Sequence, residues 1–246
     1  MNMPELDYRF AWRWLLPLMD GDKVLLQGFS EEEQIFWKGV LRLGNESLTA
    51  DAAQATVWVV SDASPSSTSP VTNFPQIRSL SVVGSSAVVC AWRRWLAGSF
   101  SDVKEYSLIP ALSPRLVVPL DKAKWIVEAL LLHRPGRIIP RLGVAVVRML
   151  AVLGVKLAPL RMRMVFLASK HHGVPSQGAR HARLDMNGSG SPESFALYLG
   201  SLGTDRKTVI LPLGGMRGTI LKHGVGYEAQ AALQNEASAL KAMSQT

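Results

Sequence analysis

Lys222 closes a strand-like run, Gly218-Thr219-Ile220-Leu221-Lys222, and Glu236 sits in the middle of a helical pattern over 227–243. A strand-end lysine offers a compact cation to phosphate oxygens or to a carboxylate, and a helix glutamate offers a carboxylate in return. Their plain readings are an exposed lysine and a solvated helix acid. Gly200 and Gly203, in Gly200-Ser201-Leu202-Gly203-Thr204-Asp205, suit a hairpin turn, where glycine allows positive φ. A second set lies near the start. Gly28 follows the apolar run Lys23-Val24-Leu25-Leu26, and Asp62 follows Thr56-Val57-Trp58-Val59-Val60-Ser61. Asp62 would stand at a strand's carboxyl end, where open α/β sheets bind ligands, or would serve as a turn aspartate.

Other reactive residues point to no chemistry. His171, His172 and His181 have no cysteine or carboxylate spaced to complete a metal site, and adjacent histidines point apart, so no metal is expected. His133 and His223 are isolated, and no serine lies in a nucleophile-elbow pattern. The single cysteine, Cys90, lies in Ala87-Val88-Val89-Cys90-Ala91, which excludes an internal disulfide and predicts a small buried residue.

The elements that position these residues alternate. The first half predicts strands at 23–29, 56–61, 82–89, 103–108 and 116–120, with a helix from Ser30 to about Leu43 and a short one at 93–97. Ser30 with Glu33 forms a capping-box pattern at the helix start. Trp12, Trp14, Trp58, Trp92 and Trp95 read as core or interface anchors. Near the other end, strands are expected at 194–200, 207–213 and 218–222, followed by the helix at 227–243. The Gly, Ser and Arg content of 176–191 marks a linker. The fold expected is α/β: a Rossmann-like partial sheet over 1–125, a basic apolar helical connector and linker over 126–190, and a small antiparallel sheet plus helix over 191–246.

Charge divides the chain unevenly. The sequence carries 27 basic and 19 acidic residues in 246, a formal net charge of +8. From Ala129 to Leu184 there are ten Lys or Arg and no acid, leaving 17 basic against 19 acidic residues elsewhere. Within that segment, Arg148 and Lys156 interrupt the apolar stretch 142–160, which argues against a membrane span. Two readings remain: a core helix whose arginines reach the surface by their long stems, and a basic amphipathic helix lying on an anionic membrane. Phe166 is the segment's only aromatic, so specific nucleic-acid recognition is not expected. The first residues hold two acids and no basic cluster, which predicts a cytoplasmic protein, membrane-associated if the basic helix lies on a bilayer.

The order strand, glycine-bearing turn, strand, strand with Lys222, helix with Glu236 resembles the small lobe of the aminoglycoside-phosphotransferase and kinase-like family. The resemblance implies that Lys222 holds nucleotide phosphates, that Glu236 pairs with it, and that Gly200 and Gly203 belong to the turn over the nucleotide. The chain stops at Thr246, just after that helix, so the expectation is a truncated lobe. ATP would then need a completing large lobe from a second chain, or the protein would self-associate through an apolar lobe face.

The first half resembles a degenerate class I S-adenosylmethionine-dependent methyltransferase, most closely over 77–120, with Gly98-Ser99-Phe100 as the family's turn of glycine then aromatic. This resemblance implies S-adenosylmethionine (SAM) near Gly28 and Asp62. It departs from the family in having one glycine in Gln27-Gly28-Phe29-Ser30, and in a stretch, 45–54, too short for a second strand-helix unit. The expected function is a noncatalytic or partner-dependent pseudoenzyme component in bacterial glycan or envelope biosynthesis. The alternatives are a SAM-dependent methyltransferase and a peripheral membrane scaffold.

Overall fold

The computed structural model describes residues 11–41, 47–65, 76–96, 99–109, 114–132, 138–153, 163–170, 194–200, 207–214, 220–224 and 227–243. Their strands join in one mixed sheet of ten, in the order β10-β9-β8-β6-β5-β7-β4-β3-β1-β2. In chain order these are β1 (Lys23–Gln27), β2 (Ser47–Thr49), β3 (Val57–Ser61), β4 (Ser79–Ser85), β5 (Asp102–Ile109), β6 (Leu116–Pro119), β7 (Arg163–Ser169), β8 (Ser194–Leu199), β9 (Lys207–Leu213) and β10 (Leu221–Gly224). The helices are α1 (Glu31–Leu41), α2 (Ser86–Trp95), α3 (Ala123–Leu132), α4 (Ile138–Val152) and α5 (Tyr227–Met243), with a 3-10 turn at Ala11–Leu15.

The sheet has two regimes. β2, β1, β3 and β4 run parallel, and the chain passes from β1 to β2 on one side and then to β3 on the other, so strand order reverses at β1. β7 lies antiparallel between β4 and β5, and from there to β10 each neighbouring pair is antiparallel. Parallel strands need both faces covered, and β3 obliges, with Val57, Trp58, Val59 and Val60 all buried.

One face carries a core that runs from Val24 on β1 through Val165 on β7 to Ile210 on β9. The 3-10 turn and α1 cover part of it, with the Trp12 and Trp37 rings 5.7 Å apart. On the opposite face, Trp58 and Trp92 meet edge to face at 5.2 Å under α2, while Trp125, Ala129 and Ala151 of α3 and α4 pack over β6, β8 and β9. At the amino edge of the parallel strands, buried Asp22 forms an ion pair with Arg78 and accepts hydrogen bonds from the Met19 N–H at 2.6 Å and the Thr56 hydroxyl at 2.8 Å. This latch joins the strand starts.

Several sequence expectations change. The run expected as a strand at 82–89 divides: β4 ends at Ser85, whose hydroxyl caps α2 by accepting from the Val88 N–H. Val88, Val89 and Cys90 are therefore helical, the helix expected at 93–97 begins at Ser86, and Cys90 is half-buried rather than buried. The physical reason is helical spacing: Val89 and Trp92 bury one face of α2. The stretch 126–190, read as helical connector and linker, contains strand β7 in the middle of the sheet. The stretch 45–54, expected to be too short for a strand-helix unit, holds the three-residue β2 and, among the described residues, no helix. Of the third strand of the last group, expected at 218–222, residues 218 and 219 lie outside the described residues, Ile220 is not in a strand, and β10 runs Leu221–Gly224. The linker expected at 176–191 lies outside the described residues, as do Gly98, His133, His171, His172 and His181.

Candidate functional site

β10 is the outer strand, and α5 returns over its end. Gly224 makes this approach possible: a Cβ there would come within 2.7 Å of the Ala229 carbonyl carbon and of the Gln230 nitrogen, both backbone. Ala229 is fully buried at the contact. Tyr227 opens the helix, so Glu236 falls in its third turn, on the side facing the sheet. There the Lys222 ammonium forms an ion pair with one Glu236 oxygen, and the Lys207 ammonium donates to the other at 3.3 Å.

Register explains why two lysines reach one carboxylate. Lys222 pairs with Val209 and Lys207 with Gly224, so two residues along antiparallel strands separate the lysines and both project to the same face. The trio carries one net positive charge. All three side chains are partly open, at 42% for Lys222, 30% for Lys207 and 35% for Glu236. Hydrogen bonds first from Lys222 and then from Lys207 hold the Glu236 carboxyl below its ordinary pKa. Such accessible pairs add little stability, so their effect is orientation.

Lys207 also closes the root of the β8–β9 turn. The Gly200 N–H donates to the Lys207 carbonyl at 2.9 Å, and a Cβ on Gly200 would stand 3.0 Å from that oxygen. Gly200 thus packs tightly against the Lys207 backbone, where a larger residue would need a small shift. Gly203 lies outside the described residues. The structure brings together Lys222, Glu236 and the root of the Gly200 turn; Lys207 is the member that the sequence reading missed, and its signal was its place at the start of a strand paired antiparallel to the lysine strand.

Gly28 and Asp62 meet at the carboxyl ends of β1 and β3, where strand order reverses. Gly28 has φ +80°, and a Cβ would come within 2.2 Å of the Ser61 carbonyl oxygen, so only glycine fits. Asp62 has φ 50°, donates its N–H to the Val83 carbonyl at 2.8 Å, and accepts from Arg163 at 3.1 Å. Arg163 arrives from β7, 101 residues later, a partner that sequence spacing does not reveal.

The start of α1 limits what this edge can take. The Ser30 N–H donates to the Glu33 carboxylate at 2.8 Å and the Glu33 N–H to the Ser30 hydroxyl at 3.3 Å, the capping box in full. With Glu31, Glu32 and Glu33 in the first turn, the helix N-terminus is already occupied by negative charge and unsuited to a phosphate. Beside it, a groove of about 700 Å³ is lined by Leu25, Leu26, Glu31, Ile35, Lys38 and Leu48. Asp62 does not line it.

His223 packs its ring 4.4 Å from that of Trp14, which gives it a place in the apolar face. Among the described residues, no group of three or more His, Cys, Asp or Glu is placed to hold a metal. Comparison with known proteins finds no matching family, no matching curated protein and no matching solved structure.

Proposed function

We propose that the chain is a phosphotransferase-related, partner-dependent component, in which Lys222 meets nucleotide phosphates and Glu236 holds that lysine in position. The observation that carries this reading is the shared carboxylate: a strand lysine and a helix glutamate fourteen residues on form an ion pair, beside a second lysine at the root of a glycine-bearing turn. Phosphate oxygens meeting this trio find a net positive charge, with Glu236 keeping both ammonium groups on one face. Phosphoryl transfer also needs an aspartate to orient the acceptor hydroxyl and acids for magnesium. The proposal covers the nucleotide-facing half of such a site, with the other half contributed by a partner, in a glycan or envelope biosynthetic setting.

The test is titration of the whole chain with Mg-ATP by calorimetry. The expected result is saturable binding weakened roughly tenfold or more by Lys222→Ala, equivalent to about 1.4 kcal/mol. Wild-type protein that ignores ATP, or a Lys222→Ala variant that binds it equally well, overturns the reading.

A second reading rests on a different observation. The reversal of strand order at β1, with Gly28 and Asp62 at the carboxyl ends beside it, is where open α/β sheets place ligands. The glutamate-rich first turn of α1 suits a cationic sulfonium better than a phosphate, which favours SAM over a dinucleotide there. This reading predicts saturable SAM binding lost on Asp62→Ala, with ATP binding unchanged. Equal SAM binding by the variant removes it.

A further inference from the structure

α4 presents apolar side chains to two sides. Toward the sheet, Ala151 is buried, and Val144, Val147 and Leu150 are partly buried against α3 and the core beneath it. Outward, Leu142 is 62% exposed, Val146 50%, Met149 56%, Val152 73% and Leu153 68%. The spacing of 142, 146, 149 and 153 draws one stripe along the helix, about 17 Å long from the rise per residue. Arg141 and Arg148, seven residues apart, fall on one border of that stripe. Arg141 is exposed and Arg148 is partly buried.

We infer that this outward face of α4 docks the protein on an anionic membrane surface. Charge selects the occupant. The helix itself carries Arg141 and Arg148 and no acid, so a second copy brought face to face would set these arginines against their like. An anionic bilayer instead attracts them while accepting the apolar stripe. The stripe's chemistry agrees: Leu, Val and Met, with none of the aromatic anchors that dominate protein–protein hot spots. Among the described residues no helix is long and apolar enough to cross a membrane, and a helix lying flat needs only to sink its stripe about 5–10 Å. This surface is separate from the Lys222 trio, and the inference stands whichever ligand that trio takes.

The test is cosedimentation of the whole chain with vesicles of phosphatidylcholine alone or with about one third phosphatidylglycerol. The expected result is binding to the anionic vesicles only, weakened by about 0.5 M salt and reduced at least roughly tenfold in Met149→Glu. Leu142→Ser, which removes apolar area without adding charge, should reduce binding in the same direction, and thermal melting checks that both variants fold. Failure of wild type to bind anionic vesicles at low salt, or folded variants that bind as wild type does, overturns the inference. So does a dimer that Met149→Glu dissociates with vesicle binding unchanged, which would assign the stripe to a second copy.

Discussion

Glu236 serves two cations with one carboxylate, and that arrangement has a pH signature. Because hydrogen bonds from Lys222 and Lys207 lower its pKa in the folded state, its contribution is present above the ordinary glutamate value and fades as pH falls through the lowered one. Acid should therefore release the Glu236 carboxyl from the two lysines in a window below the usual carboxylate range, with little change in overall stability. NMR titration of the Glu236 carboxyl should give a midpoint below that of a free glutamate, and Lys222→Ala should move that midpoint back toward the ordinary value. An ordinary midpoint would mean that the two lysines do not hold the carboxylate in solution. The pairing of Lys222 with Glu236 was expected only through the resemblance to the kinase-like small lobe, since the residues by themselves read as an exposed lysine and a solvated helix acid. Lys207 was not expected, because its relation to Glu236 depends on strand register, and register is set by pairing across the sheet.

At the scale of elements, legibility followed local signals. The capping box of α1 and the limits of β9 and α5 could be read because side-chain caps and hydrophobic period are written locally. β4 and α2 were blurred because an unbroken apolar run, Ala87–Ala91, satisfies a buried strand and a buried helix turn equally. The signal that separates them is Ser85, whose hydroxyl accepts from the Val88 N–H and starts the helix. Ser85→Ala should lower stability by about 1 kcal/mol in urea unfolding, as loss of a serine cap does elsewhere. No change would mean that packing of Val89 and Trp92 alone sets the start of α2. β7 escaped notice because six of its seven residues are buried, so it lacks the alternation of a half-exposed strand, and its basic surroundings resemble a connector.

On the scale of the whole molecule, the sheet ties distant sequence together. The parallel strands and the antiparallel group share one ten-stranded sheet, and one apolar face extends from β1 to β9. The continuity could not be read from sequence, because it depends on β7 entering between β4 and β5 and on β6 pairing with β8. It also gives the candidate sites fixed positions: the lysine trio at β9, β10 and α5, the Gly28–Asp62 turn at the ends of β1 and β3, and the outward stripe on α4. The α/β class was legible from the alternation of patterns, while the joining of its parts was a property of long-range pairing.

The central claim is that nucleotide phosphate meets Lys222, and the most direct measurement is amide chemical-shift mapping of the whole chain during titration with Mg-ATP. The account predicts saturable shifts at Lys207, Lys222 and Glu236, absent in Lys222→Ala, while Gly28 and Asp62 stay still. Shifts confined to Gly28 and Asp62, or no saturable shift at any concentration, would contradict it.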